Sequence, residues 1–519
     1  MGRGARPAGS VGAGILLSRV TGVARDVALA AFLGTGRPAD AYWAALKIPN
    51  IVRNLLGEGT LSASFVPVYA SSLAAREAGS EEPARLARSV LGGVLLAAGL
   101  LAGLGVLLAP WITGVLLAGA DEATRVLATS LVRILFPMAG ILVVGAWFLG
   151  VLNTHDRFFL PFAAPALWNL AQVTGLFVAA HLGAERIAVA LAWSALGGAL
   201  LQVGVQAPVA FRLSGVRRPG FEWSLEPVRR VARNSLPVIS SQGILQVSSL
   251  VDVALAALAG PGALAALGYS QRLAYLPISL FGISIAAAAL PAMSREARRE
   301  ALAERLRLAW FQILFFVLPS AVALLLFGDL LVSVVYERGE FGRESTALVT
   351  LLLAAYGLGL AAASSVKLFA SGFHAMQDTA SPLRAAGIAV AVAVTVGAAL
   401  TLLLRASGFG AFAAVGIVLG GALGSWVNLL LLWAGLRRRL GPFLGRDALR
   451  AVLRLAVAVL VATAAGWAAR TLVEPVLPDR SLVHRGLLTT VVLSAFGLVY
   501  LAIARRPPRP AAPSHDAAG

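Results

Sequence analysis

Apolar stretches of about 20 residues recur along the whole chain, separated by short polar segments. A stretch of that length, wound as a helix, crosses the hydrocarbon core of a bilayer. The pattern predicts fourteen spans, at 11–34, 38–70, 89–118, 124–152, 157–182, 186–211, 229–258, 262–292, 306–327, 345–373, 382–405, 409–436, 447–472 and 484–504. The first two are interrupted by polar residues, and Pro49 is expected to break the second. The expected fold class is therefore an all-α polytopic membrane protein.

Composition agrees and removes other classes. Only 13% of the 519 residues are charged and the mean hydropathy is +0.82, whereas a soluble globule carries about 25% charge. A net charge of +18 would suggest a nucleic-acid partner in a soluble protein. Here, with loops assigned to alternating sides, 27 arginines fall on one side and 8 on the other. That asymmetry is the positive-inside rule; it places both termini in the cytoplasm and leaves no nucleic-acid partner to be explained. Arg3 and Arg6 precede no short apolar core with a cleavage site, so the first helix reads as uncleaved rather than as a signal peptide. The absence of cysteine excludes disulfides and thiolate metal sites.

An internal repeat organises the spans. Asp26-Val27-Ala28-Leu29-Ala30-Ala31 returns as Asp252-Val253-Ala254-Leu255-Ala256-Ala257. Phe65-Val66-Pro67 is answered by Ala289-Leu290-Pro291, and Gly150 to Pro161, containing Asp156, by Gly372 to Pro382, containing Asp378. The offsets stay between 221 and 226 residues, about six spans, so the two halves would share one orientation in the membrane. The expected domains are an N-terminal six-helix lobe at 1–220, a second six-helix lobe at 225–440, two extra spans at 445–505 and a short cytoplasmic tail at 506–519.

Charges inside the apolar spans carry the candidate chemistry. Arg19, Arg25, Lys47 and Arg53 lie within the first two spans, and Arg272 lies in the second half. An ionisable group at membrane depth costs at least roughly 2.5–3.5 kcal/mol, so it persists only facing a cavity or a partner. Two readings compete. Several cations together would hold an anion such as a phosphate or diphosphate, for which guanidinium supplies planar bidentate donors. Alternatively Asp26, Asp40 and Glu58 neutralise them as internal ion pairs. Arg19 and Arg25 stand about 240° apart on a straight helix and would not share a face. Asp252 and Asp378, with Thr395, are candidates for a cation site, although a structural role is the commoner fate of such residues. No phosphate-loop motif and no H-E-x-x-H motif occurs, so neither ATP hydrolysis nor zinc peptidase chemistry is expected, and the chain reads as a transporter rather than an enzyme.

Taken together, Ser18-Arg19-Val20-x-Gly22-x-x-Arg25-Asp26, Asp40-Ala41, Lys47-x-Pro49-Asn50-x-x-Arg53, Glu58-Gly59 and Phe65-Val66-Pro67 resemble the N-terminal signature of bacterial lipid II flippases of the MurJ/MviN family. That family belongs to the multidrug/oligosaccharidyl-lipid/polysaccharide exporter superfamily. The likeness continues through Gly150-Val151-Leu152-Asn153-Thr154, Arg272 and Gln377-Asp378. Gln271 departs from it, standing where some members carry an acid. The resemblance implies movement of the lipid-linked peptidoglycan precursor from the inner to the outer leaflet of the cytoplasmic membrane by alternating access. It implies substrate contacts at Arg19, Arg25, Arg53, Arg272, Asp40, Glu58, Lys47 and Asn50, no cofactor, and sodium as a candidate coupling ion at Asp252 and Asp378. Membrane lipids and other cell-wall synthesis proteins are the further partners it suggests. A flippase for another polyprenyl-diphosphate oligosaccharide is the alternative.

Overall fold

A computed structural model describes residues 5–75, 80–296, 298–443, 446–477 and 481–504. The tail from residue 505, Arg3 and Arg76 lie outside them, and of Glu58 only the backbone is described. Every element among the described residues is helical. Among the described residues, ten helices are long and apolar enough to cross a membrane.

The chain forms two compact units, residues 1–265 with 338–341, and residues 266–337 with 342–519. The first contains α1 (Ala5–Leu33), α2 (Arg37–Leu56), α3 (Glu58–Ala74), α4 (Glu82–Leu116), α5 (Glu122–Thr154), α6 (Phe159–Ala163), α7 (Pro165–Val178), α8 (Ala184–Ser214) and α9 (Glu226–Ala259). The packing unit thus reaches one helix beyond residue 220, because α9 packs on α2, α3 and α4. The second unit contains nearly all of α10 (Ala263–Pro277), a π-helical turn (Ile278–Ile283), α11 (Ser284–Ser294), α12 (Arg299–Leu326), α13 (Gly328–Val335), α14 (Arg343–Ala375), α15 (Ala380–Ala406), α16 (Val415–Leu440), α17 (Arg446–Val473) and α18 (Leu482–Ala504).

The helices divide by what surrounds them. In the first unit α5 lies at the centre, and Trp147 on it is fully buried and donates to the Ala87 carbonyl at 3.0 Å. Phe65, Tyr69, Leu86 and Leu91 pack into the same cluster. By contrast α4 exposes Leu96, Leu100, Leu104, Leu107 and Trp111 along one side. Such a continuous exposed apolar stripe suits hydrocarbon rather than water.

Pro49 does not end its helix: α2 runs unbroken through it to Leu56. The interruption falls instead at Gly57, which separates α2 from α3 and whose N–H still reaches the Arg53 carbonyl at 2.7 Å. A Cβ at residue 57 would lie 2.3 Å from that carbonyl oxygen, so the turn requires glycine. A proline within a spanning helix is tolerated where neighbouring groups occupy the freed carbonyl's surroundings. Helix α1 likewise runs unbroken through Gly22.

The repeat reappears as matching local geometry at the helix ends. Asp156 and Gln377 are the only non-glycine residues with positive φ among the described residues, both at 58°. After α5, the Arg157 N–H reaches Leu152 and the Asp156 N–H reaches Asn153. After α14, Asp378 reaches Phe373 and Gln377 reaches His374. The register is 221, so Asp378 corresponds to Arg157 rather than to Asp156.

Candidate functional site

The residues singled out in the sequence separate into a closed network and an open stripe, both in the first unit. The closed network begins with Arg25 on α1, which is 4% exposed. Its Nη2 donates to Asp26 Oδ1 at 2.7 Å, its Nε to the same oxygen at 3.1 Å, and its Nη1 to Asn169 Oδ1 at 3.0 Å. The guanidinium also lies 5.0 Å from the centre of the Trp168 ring. Asn169 completes the lock by donating to the Ser18 carbonyl and to Thr21 Oγ1, both at 3.1 Å. One turn further along α7, Gln172 accepts from the Tyr42 hydroxyl at 2.8 Å. All three guanidinium nitrogens of Arg25 thus meet a protein acceptor, as burial demands. Internal pairing therefore accounts for Arg25. The sequence reading overlooked Asn169 and Gln172, although two amides three residues apart in an apolar run were the available signal.

Asp40 has a second structural use. Its carboxylate is buried and accepts the N–H groups of Gly262 and Ala265, the latter at 2.7 Å. It therefore caps the N-terminus of α10 from another helix, where the helix dipole favours negative charge.

The open stripe runs down α2 from the satisfied Asp40. From there Trp43, Lys47, Asn50 and Asn54 follow at alternating steps of three and four, which aligns them on one face. Lys47 is half-buried, and its opposing charge is Asp252 on α9, without a direct ion pair. Asn50 Oδ1 is buried and has no hydrogen-bond partner among the described residues. Arg53, also half-buried, follows within a turn. On α1, Arg19 is exposed and among the described residues makes no ion pair. Arg19 and Arg25 thus do point to different environments on one unbroken helix. In the second unit Arg272 is exposed on α10.

The cation-site candidates are spread over both units: Asp252 is on α9 of the first, and Asp378 and Thr395 are in the second. Asp378 pairs with Arg439 at 2.5 Å and accepts from the Ser381 hydroxyl at 2.6 Å and the Ser381 N–H at 2.9 Å. These bonds, chiefly those from Ser381, hold its carboxyl at about 2. Thr395 lies fifteen residues into α15, roughly 22 Å along the axis from its start. Among the described residues no three His, Asp or Glu side chains form a metal-binding group.

Known proteins resemble this chain over most of its length. The family model described as lipid II flippase MurJ matches residues 29–502. A probable lipid II flippase MurJ of Rhizobium meliloti is 35% identical over 508 residues, covering 95% of this chain and 92% of the relative. The lipid II flippase MurJ of Burkholderia cenocepacia is 31% identical over 441 residues, covering 82% of each. In solved structures, the fold matches lipid II flippase MurJ in an inward closed conformation, with TM-score 0.74 and 22% identity over 95% of this chain and 97% of the other. An inward-facing multidrug resistance MATE family transporter of the MOP superfamily matches at TM-score 0.67 and 17% identity, over 82% of this chain and 95% of the other. Sequence and fold agree along nearly the whole length, and the chain belongs to the MurJ family of lipid II flippases.

Proposed function

We propose that this protein moves lipid II, the undecaprenyl-diphosphate-linked peptidoglycan precursor, from the inner to the outer leaflet of the bacterial cytoplasmic membrane. Family membership supports the substrate, and the positive-inside asymmetry supports cytoplasmic termini. The observation that carries the mechanism is the open stripe of α2. Lys47, Arg53 and the orphaned Asn50 oxygen supply a cation, a guanidinium and an amide on one element, with Arg19 exposed on α1. Such groups hold a diphosphate away from hydrocarbon while the sugar-peptide headgroup crosses.

Roles then divide. Arg19, Lys47, Asn50 and Arg53 contact the headgroup, and Arg272 adds a contact from the second lobe. Arg25 positions α1 against α7. Asp40 positions α10. Glu58, in the family motif, is a further headgroup contact. The lobes are taken as 1–220 and 225–440, with the two last spans guiding the polyprenyl tail. Transport uses alternating access without ATP. An empty cavity with surplus positive charge is drawn back toward a negative interior, with about 2.3 kcal/mol available per charge per 100 mV. Sodium at Asp252 is the second candidate for coupling.

The test is rescue of cells depleted of their own lipid II flippase, scored by lipid II exposed on the outer leaflet at matched membrane abundance. Wild type restores exposure, and Arg19→Ala, Arg53→Ala and Arg272→Ala do not. Failure of well-inserted wild type would redirect the assignment to another polyprenyl-diphosphate glycan. Rescue by all three variants would leave the function and remove the arginine contacts. Exposure that persists unchanged after both the potential and the sodium gradient are collapsed would refute the energetic part.

A further inference from the structure

A cavity of about 300 Å³ opens between the start of α15 and the end of α16 in the second unit, on the side that the positive-inside asymmetry assigns to the cytoplasm. Three arginines surround it: Arg384 from α15, and Arg438 and Arg439 from α16. They are not equivalent. Arg439 is neutralised by Asp378, donates to Ser381 Oγ at 3.2 Å and lies 5.1 Å from the centre of the Phe373 ring. Arg384 and Arg438 have no acidic partner and no hydrogen-bond acceptor among the described residues. Neighbouring Arg437 turns to the face of Trp433 instead, 5.5 Å from its centre. The cavity therefore keeps two uncompensated guanidinium groups at its mouth.

Its inner wall has the opposite character. Ile388 continues the face of Arg384 one turn into the membrane, and Leu431 continues that of Arg438 on the antiparallel helix; both are exposed. Leu383, also exposed, borders the same end of α15. Two spare cations at the headgroup level above an exposed apolar furrow form an amphipathic site. A freely soluble anion would use the upper half alone. Only an anionic lipid satisfies both, and basic pockets between helices at the cytoplasmic face take such headgroups.

We propose that this cavity binds an anionic glycerophospholipid of the inner leaflet, with its phosphate between Arg384 and Arg438 and an acyl chain along Ile388 and Leu431. The site is built wholly from residues of the second unit and holds a resident lipid rather than the transported one. It staples the α15–α16 pair, whose cytoplasmic end is otherwise tied by Asp378, Ser381 and Arg439.

Native mass spectrometry of the delipidated full-length protein tests it, with phosphatidylglycerol, phosphatidylcholine, inorganic phosphate and undecaprenyl diphosphate as probes. Phosphatidylglycerol is expected to bind at least about tenfold more tightly than phosphatidylcholine. Arg384→Gln with Arg438→Gln should erase that preference without lowering the melting temperature. Leu431→Trp, which leaves every arginine in place, should weaken phosphatidylglycerol by crowding the furrow. Arg217→Gln with Arg218→Gln, which removes equal charge elsewhere on the same side, should leave it intact. Equal binding of the two phospholipids overturns the proposal, as does equal loss in the Arg217/Arg218 variant. Displacement by inorganic phosphate at comparable concentration would make it a soluble-anion site, and preferential displacement by undecaprenyl diphosphate a substrate site. The rescue assay reads transport separately, so either conclusion can fail alone.

Discussion

Arg25 and Lys47 come from the same motif, yet their surroundings differ. Arg25 is enclosed by Asp26, Asn169 and the face of Trp168, with every nitrogen accounted for. Lys47 meets the opposite charge of Asp252 without a direct ion pair, near the Asn50 amide oxygen, which has no hydrogen-bond partner among the described residues. A charge inside a membrane protein is either part of the scaffold or available to a ligand. Its type does not say which; the closure of its hydrogen bonds does. The closed network ties α1 and α2 to α7.

That contrast predicts a graded series. Arg25→Ala removes one member of a buried pair and leaves the Asp26 carboxylate uncompensated. It should cost about 3–5 kcal/mol and appear as loss of folded protein in the membrane. Replacing Asp26 by asparagine in the same variant should recover part of that loss; no recovery would place Arg25 outside a paired network. Asp40→Ala leaves two N–H groups at the start of α10 without acceptors, at a cost of about 1–3 kcal/mol in thermal unfolding. Asp40→Asn, which keeps one acceptor, should fall between it and wild type.

His155 extends the closed class to a helix end. Its Nε2 lies 3.2 Å from the hydroxyl of buried Tyr69, and burial pushes its pKa below the ordinary histidine value. The unfolded chain then binds more protons than the folded one, so this contribution is complete above about pH 6.5 and is lost as pH falls through the lowered value. Thermal stability should drop modestly on acidification, and His155→Gln should flatten that part of the profile. Arg19→Ala should change stability least, within about 0.5 kcal/mol, because Arg19 is exposed without an ion pair. Transport should nevertheless fall sharply; a variant that unfolds instead would move Arg19 into the closed class.

Much of the fold was legible because hydropathy is local. Each of the fourteen apolar runs falls on helical structure, ten helices among the described residues are long and apolar enough to span, and the repeat offset returns as paired left-handed residues at Asp156 and Gln377. The break in the second span was misplaced for an equally local reason. Pro49 is the stronger helix breaker by propensity, but a spanning helix surrounded by protein tolerates it, whereas Gly57 occupies a turn that admits no side chain. The surroundings of Asp378 were hidden for a related reason. Its acidity was visible, but its neighbours Ser381 and Arg439, which already satisfy it, were not.

The amino-acid sequence alone determined that this is a helical membrane protein, which way its loops are charged, and which family's motif its first seventy residues carry. Those properties follow from side-chain transfer energies and from residues adjacent in the chain. Tertiary structure decided which charges are available. Arg25 meets Asn169 across 144 positions, Asp40 meets Ala265 across 225, and Lys47 faces Asp252 from another helix. Whether a charge is neutralised depends on distances of a few ångströms between such remote partners, and chain spacing carries no information about those distances.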